Sequence, residues 1–275
     1  MSDLASLEKL AATYEKELQI ARNVQQGLLS VENPHIEGVR LAMSCVPAES
    51  IGGDFYTFVN KIDRAPSTRA KSPGVIEYQD RREQHLGIAI GDVAGHGIGS
   101  ALVMALASGI IREAGLSHRS PADSMAAANT AISRFISNSQ VPYVTAFYGV
   151  LKIDSKLLTY AKAGHLPSIL VRADGSLTLL DAAGVFLGMY PNEQYEDCEV
   201  QLASGDRVYF YTDGITEAQN EAGEFFEFDR FKTLLLENHT MPIETLKQKI
   251  LDTVADFTGN APVKDDQTIV ILEIV

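Results

Sequence analysis

Residues 144–180 read VTAFYGVLKIDSKLLTYAKAGHLPSILVRADGSLTLL, and this stretch decides the fold class. Four short β-prone runs, at 144–153, 157–161, 168–172 and 177–180, follow one another with no helical pattern between them. The links Asp154-Ser155-Lys156 and Ala173-Asp174-Gly175-Ser176 are hairpin signals, made of residues that accept tight turns. Strands joined this way pair antiparallel. Outward from this meander, further strands are expected at 86–90, 207–211 and 268–275. Helical patterns fall at about 99–115, 121–138, 227–237 and 242–258, with Pro121 and Pro242 where helix starts are expected. Strand meanders followed by paired helices, without a regular βαβ alternation, predict an α+β fold with antiparallel sheets covered by helices.

At 275 residues and 45% hydrophobic composition, the chain is one large domain or two small ones, with enough length to bury a core without staples. Its net charge of −13 argues against a nucleic-acid binder, whose affinity rests on Lys and Arg, and against a polybasic membrane-surface protein. Two cysteines, Cys45 and Cys198, are too few for a disulfide framework and suit reduced thiols in a cytosolic protein. The most apolar run, residues 101–111, falls short of the roughly 18 residues a membrane span needs. The N-terminus carries charges where a signal peptide would be apolar, so a cytoplasmic location is expected.

Residues 2 to about 30 read as one amphipathic helix, ended near Pro34. Leu4, Leu7, Ala11, Tyr14, Leu18, Ala21 and Leu28 recur at steps of three and four, and only Gln25 interrupts them. Such a stripe predicts a coiled-coil seam, hence a homodimer or a stalk taking a signal from an upstream partner. The expected division is a linker helix over 1–32 and a globular domain over 33–275. Within the domain, residues 61–83 are polar, with six basic and four acidic residues, and are expected as a mobile insertion loop.

The chemistry-bearing residues are aspartates at strand ends beside glycine or another aspartate. They are Asp54 in Gly52-Gly53-Asp54-Phe55-Tyr56, Asp92 in Gly91-Asp92-Val93-Ala94-Gly95-His96-Gly97, Asp213 in Tyr211-Thr212-Asp213-Gly214, and Asp265 with Asp266 in Lys264-Asp265-Asp266-Gln267-Thr268. If they converge, their pKa values rise unless a cation neutralises them. An all-oxygen donor set selects Mg²⁺ or Mn²⁺, whereas no histidine has a partner at zinc-ligand spacing. The adjacent glycines let the backbone approach an ion closely. Two other readings have less sequence support. The Gly52-Gly53-Asp54 run lacks the Glu of a diguanylate cyclase signature, and the Gly95–Ser100 loop lacks both a phosphate-binding Lys and a following βαβ unit.

In order, the motifs GGDFY, GDVAGHG, TAFYGVL, AGHLP, VYFYTDGITEA and DDQT closely resemble the SpoIIE/RsbU branch of the PP2C-like (PPM) serine/threonine phosphatases, from about residue 24 to the C-terminus. The resemblance implies an α-β-β-α sandwich of two antiparallel sheets flanked by helices, preceded by the N-terminal helix. It implies two Mn²⁺ or Mg²⁺ ions, with Asp92 bridging them, Asp54 and the Val93 carbonyl completing one site, and Asp213 and Asp265 the other. Asp54, Asp92, Asp213 and Asp265 would thus be the catalytic set, supporting in-line attack by a metal-activated hydroxide on phosphoserine or phosphothreonine. The substrate implied is a phosphorylated STAS-type anti-anti-sigma protein. His96 is expected as a loop residue and His165 as a structural one. The rival readings are a catalytically silent binding module of the same fold and a nucleotide-dependent enzyme using the Gly95–Ser100 loop.

Overall fold

The computed structural model describes residues 2–29, 34–72, 75–118, 120–137 and 141–275, with side chains described from residue 6 onward and outside 63–82. Two five-stranded antiparallel sheets face each other. The first runs in the order β1 (Val39–Val46), β10 (Gln267–Ile274), β9 (Arg207–Tyr211), β6 (Ser168–Val171), β7 (Leu177–Leu180). The second runs β2 (Phe55–Ser72), β3 (Val75–Val93), β4 (Val144–Lys152), β5 (Leu157–Ala163), β8 (Cys198–Gln201). The 144–180 meander therefore splits between sheets: β4 pairs with β5, and the chain then crosses to β6 and β7 in the opposite sheet.

Strand periodicity builds three apolar layers. Leu86, Ile88 and Ile90 of β3, Phe147 of β4, Val208 and Phe210 of β9, and Val270 and Leu272 of β10 meet between the sheets. The alternate residues point outward under helices. Ala89 and Val93 with Ala146 and Tyr148 pack beneath α2 (Ile98–Ser117) and α3 (Pro121–Ile136). Tyr209, Tyr211, Ile269 and Ile271 pack beneath α5 (Glu227–Glu237) and α6 (Ile243–Thr258). Because both sheet faces are covered, Val208–Tyr211 of β9 read as an unbroken apolar run, and the whole strand is buried, Arg207 through its ion pair with Glu273 at 2.6 Å. A single-turn helix, α4 (Asp213–Thr216), follows β9. The long N-terminal helix α1 spans Ser2–Leu29.

Local signals account for the helix starts. Ser120 caps α3, its hydroxyl accepting the Asp123 amide at 3.2 Å, with Pro121 at the first helical position. By length and composition α2 is apolar enough to cross a membrane. In the fold, Met104, Ala107 and Ile111 on its inner face are fully buried against the second sheet.

One expectation needs correcting. The segment 61–83 is not a loop but the distal arms of the β2–β3 hairpin, paired from Lys61↔His85 out to Ser72↔Val75. The period-two potential of 55–60 and 86–91 continues into it, and the Pro73-Gly74 dipeptide, a turn signal in the sequence, lies outside the described residues.

Candidate metal centre

Antiparallel pairing brings the four aspartate motifs to one end of the sandwich. Asp54 stands immediately before β2 and Asp92 near the end of β3, two strands whose adjacent register pairs Phe55 with Gly91. Asp213 follows β9 by two residues and Asp265 precedes β10 by two, where Tyr211 pairs with Ile269. The two sheets thus each supply two of the carboxylates.

Asp54 is buried, and Thr212 Oγ1 donates a 2.7 Å hydrogen bond to its Oδ2. Thr212 Oγ1 in turn accepts the Thr268 amide at 3.0 Å, so the hydroxyl has one direction in which to donate. Burial, followed by the charge of Asp92, holds the Asp54 carboxyl well above the usual carboxylate range. Burial and then the charges of Asp213, Asp265 and Asp266 push Asp92 up to about 7. Asp213 is raised by burial and by Glu217, and Asp265 by burial and by Asp213 and Asp266. Among the described residues none of the four forms an ion pair with Lys or Arg. The aspartates feel one another electrostatically, yet no three His, Cys, Asp or Glu groups among the described residues close into a ready-made cage. Mutual repulsion of unneutralised carboxylates opposes such closure.

Asp266 has a different task. Its carboxylate accepts the amides of Ala48 at 2.8 Å, Gly53 at 2.6 Å and Asp54 at 3.2 Å, which pins the loop that carries Asp54. A Cβ at Gly52 would collide with that carboxylate, and a Cβ at Gly53 would sit 2.9 Å from the Val93 carbonyl oxygen. The missing side chain at Gly53 leaves a cradle in front of that oxygen. All-oxygen donors, clustered without a protein cation, beside a carbonyl cleared by glycine, fit a hard divalent metal.

Sequence reasoning did not assign roles to three further residues. Gln25, the polar break in the α1 stripe, is the one buried residue among those described in that helix: its amide donates to the Gly52 carbonyl at 2.7 Å and accepts the Gly52 amide at 3.1 Å. Its appearance at a seam position was the available signal. Tyr143 and Phe186 stack at 4.3 Å and form an aromatic wall of a cavity of about 320 Å³ that Asp92, Asp213 and His165 also line. Nothing in the local sequence marks that pair. His96 does not line this cavity; its side chain is 88% exposed and lies 3.6 Å from Glu49.

The arrangement is a PP2C-type sandwich with an acidic centre at the sheet ends. Residues 82–275 match the family model of stage II sporulation protein E, SpoIIE, and the chain belongs to that family of PP2C-type serine phosphatases. The chain is similar to phosphoserine phosphatase RsbU of Bacillus subtilis, 27% identical over 271 residues, covering 97% of this chain and 72% of that protein. In fold it is similar to the SiaA PP2C domain of Pseudomonas aeruginosa, with a TM-score of 0.76 at 24% identity, covering 97% and 99% of the two chains. It also resembles RsbX, solved in complex with magnesium, with a TM-score of 0.60 at 16% identity over 88% of this chain and 98% of that one.

Proposed function

We propose that this chain is a Mn²⁺- or Mg²⁺-dependent protein serine/threonine phosphatase that acts in the cytoplasm on a phosphorylated STAS-type anti-anti-sigma protein. The globular part, residues 33–275, is the phosphatase domain, and residues 1–32 form a helical linker that pairs with a second copy or an upstream regulator. One observation supports the reading above the others: uncompensated carboxylates gather from both sheets, where burial and then their mutual charge push Asp92 up to about 7. A protein that only needed a stable fold would not accumulate such repulsion, whereas a site tuned for cations requires it.

Asp54, Asp92, the Val93 carbonyl, Asp213 and Asp265 are the residues that would hold two divalent ions. Asp266, committed to three backbone amides, is left out of the set. Bound there, the ions supply Lewis acidity, lowering the pKa of water and neutralising phosphoryl oxygens. The chain's own residues do the rest. Thr212 orients Asp54, Asp266 fixes the loop that presents it, and Tyr143 and Phe186 shape the wall against which a phosphorylated side chain lies.

The test is phosphate release from a phosphoserine-bearing STAS protein with Mn²⁺ or Mg²⁺, with and without chelator. Activity lost to the chelator and to Asp92→Asn, by roughly a hundredfold or more, is the expected result. Binding of the phosphoprotein without turnover under every metal condition would instead identify a silent module.

A further inference from the structure

His165 is 6% exposed, sits just beyond β5, and makes two hydrogen bonds to residues of different sheets. Its Nε2 lies 3.1 Å from the Tyr211 carbonyl oxygen at the end of β9, and its Nδ1 lies 2.8 Å from Thr145 Oγ1 in β4. The carbonyl is only an acceptor, so Nε2 carries the proton and Nδ1 must accept. The Thr145 hydroxyl therefore donates to Nδ1, which leaves its oxygen free to accept the Asp92 amide at 3.3 Å. A directed chain results: Asp92 N–H to Thr145 Oγ1, Thr145 O–H to His165 Nδ1, His165 Nε2–H to Tyr211 O. One end fixes the backbone of Asp92, which is paired with Thr145 across the β3–β4 ladder. The other end fixes the strand end two residues before Asp213.

We infer that His165 is a positioning residue: with Thr145 it forms a strut that sets the spacing of Asp92 in one sheet against Asp213 in the other. A general-acid role does not fit, because both ring nitrogens are committed to partners inside the fold. An ordinary buried histidine needs only satisfied hydrogen bonds. Here one bond ends two residues before Asp213 and the other on Thr145, the cross-strand partner of Asp92, and the ring itself lines the same cavity. The strut is the counterpart of the Thr212–Asp54 bond, which joins the sheets on the other flank of the centre.

This inference rests on the metal-centre reading, and its test separates the two. Calorimetric titration of the full chain with Mn²⁺ alone compares wild type, Asp92→Asn, Thr145→Val and Thr145→Ser, with the unfolding midpoint of each measured in chelator. Thr145→Val keeps the shape and removes two of the three links of the strut, those made by the Thr145 hydroxyl. It is expected to weaken Mn²⁺ binding by roughly 10- to 100-fold, as loss of an outer-shell partner does. Thr145→Ser, which keeps the hydroxyl, is expected to stay within about threefold of wild type by the same reasoning. Unchanged Mn²⁺ affinity in Thr145→Val, whatever its unfolding midpoint, overturns the strut. A wild-type protein without Asp92-dependent Mn²⁺ binding overturns the metal-centre reading and the strut with it. Should Thr145→Val fail to fold, imidazole ¹⁵N shifts of the wild-type protein decide: a protonated Nε2 with a bare Nδ1 supports the strut, and the opposite tautomer overturns it.

Discussion

Asp54 is oriented by the hydroxyl of Thr212. Thr212 is the side chain that donates to its buried Oδ2, and Thr212→Val removes that donor while preserving volume. Leaving a buried carboxylate oxygen unsatisfied costs about 1–3 kcal/mol, so the metal-free variant should unfold earlier by that amount in denaturant titration. His165 supplies a second residue-level prediction, in pH. Burial pushes its pKa from 6.5 down to about 4. The unfolded chain therefore takes up a proton below pH 6.5 that the folded protein refuses until about pH 4. The stability this residue contributes is complete above pH 6.5 and falls as pH drops through that window, by at most about 1.4 kcal/mol per unit. Asp54 and Asp92, whose pKa values are raised, tilt the curve the opposite way: they favour the folded metal-free protein at low pH and lose that contribution as pH rises. The comparison that isolates the histidine is thus wild type against His165→Asn, both in chelator. The variant should lack the acid-side loss between pH 6.5 and 4, and parallel pH curves would refute the assignment.

At the scale of elements, α1 and the β1–β2 connection are joined by the paired hydrogen bonds of Gln25 with the Gly52 backbone, two residues from Asp54. The position of this helix is therefore communicated to a proposed ligand. Gln25→Ala should speed amide exchange at Gly52–Asp54 by roughly fivefold, the equivalent of one net hydrogen bond of about 1 kcal/mol. Phosphate release should fall with it. Exchange rates identical to wild type at those amides would show that the helix does not hold the loop. The same element explains why its pattern was only partly legible. The stripe at steps of three and four identified the helix correctly, but at Gln25 it turns onto the globular domain. Leu7, Leu10, Tyr14, Val24 and Leu28 remain exposed. The β2–β3 hairpin is the reverse case: its polar composition suggested a loop, and strand pairing prevailed because each arm continues a ladder begun in the core.

For the whole molecule, the exposed apolar side chains of α1 call for a partner surface. The proposed homodimer would cover them through a parallel or antiparallel helix pair. Sedimentation of the wild type should give a dimer mass, and Leu7→Glu with Tyr14→Glu should shift it to the monomer at the same protein concentration. A wild type that stays monomeric at every concentration would remove the homodimer and leave an upstream partner as the occupant. The sandwich itself should be insensitive to that change, because the buried residues of its three apolar layers lie within 36–274 and the α1 residue packed against them, Leu29, is far from Leu7 and Tyr14 along the helix.

The amino-acid order alone determined the antiparallel α+β class and many of the helix and strand positions, and it singled out the aspartates as the candidate ligands, because periodicity and turn chemistry are local properties; it did not show the outer arms of the β2–β3 hairpin. Tertiary structure decided which neighbours those residues serve. Asp266 holds the Asp54 loop from 212 positions away, Gln25 reaches Gly52, and His165 joins Tyr211 to Thr145. Those partnerships exist only because ten strands pair across long sequence separations and stack their ends together, and no local pattern records which distant strand will arrive.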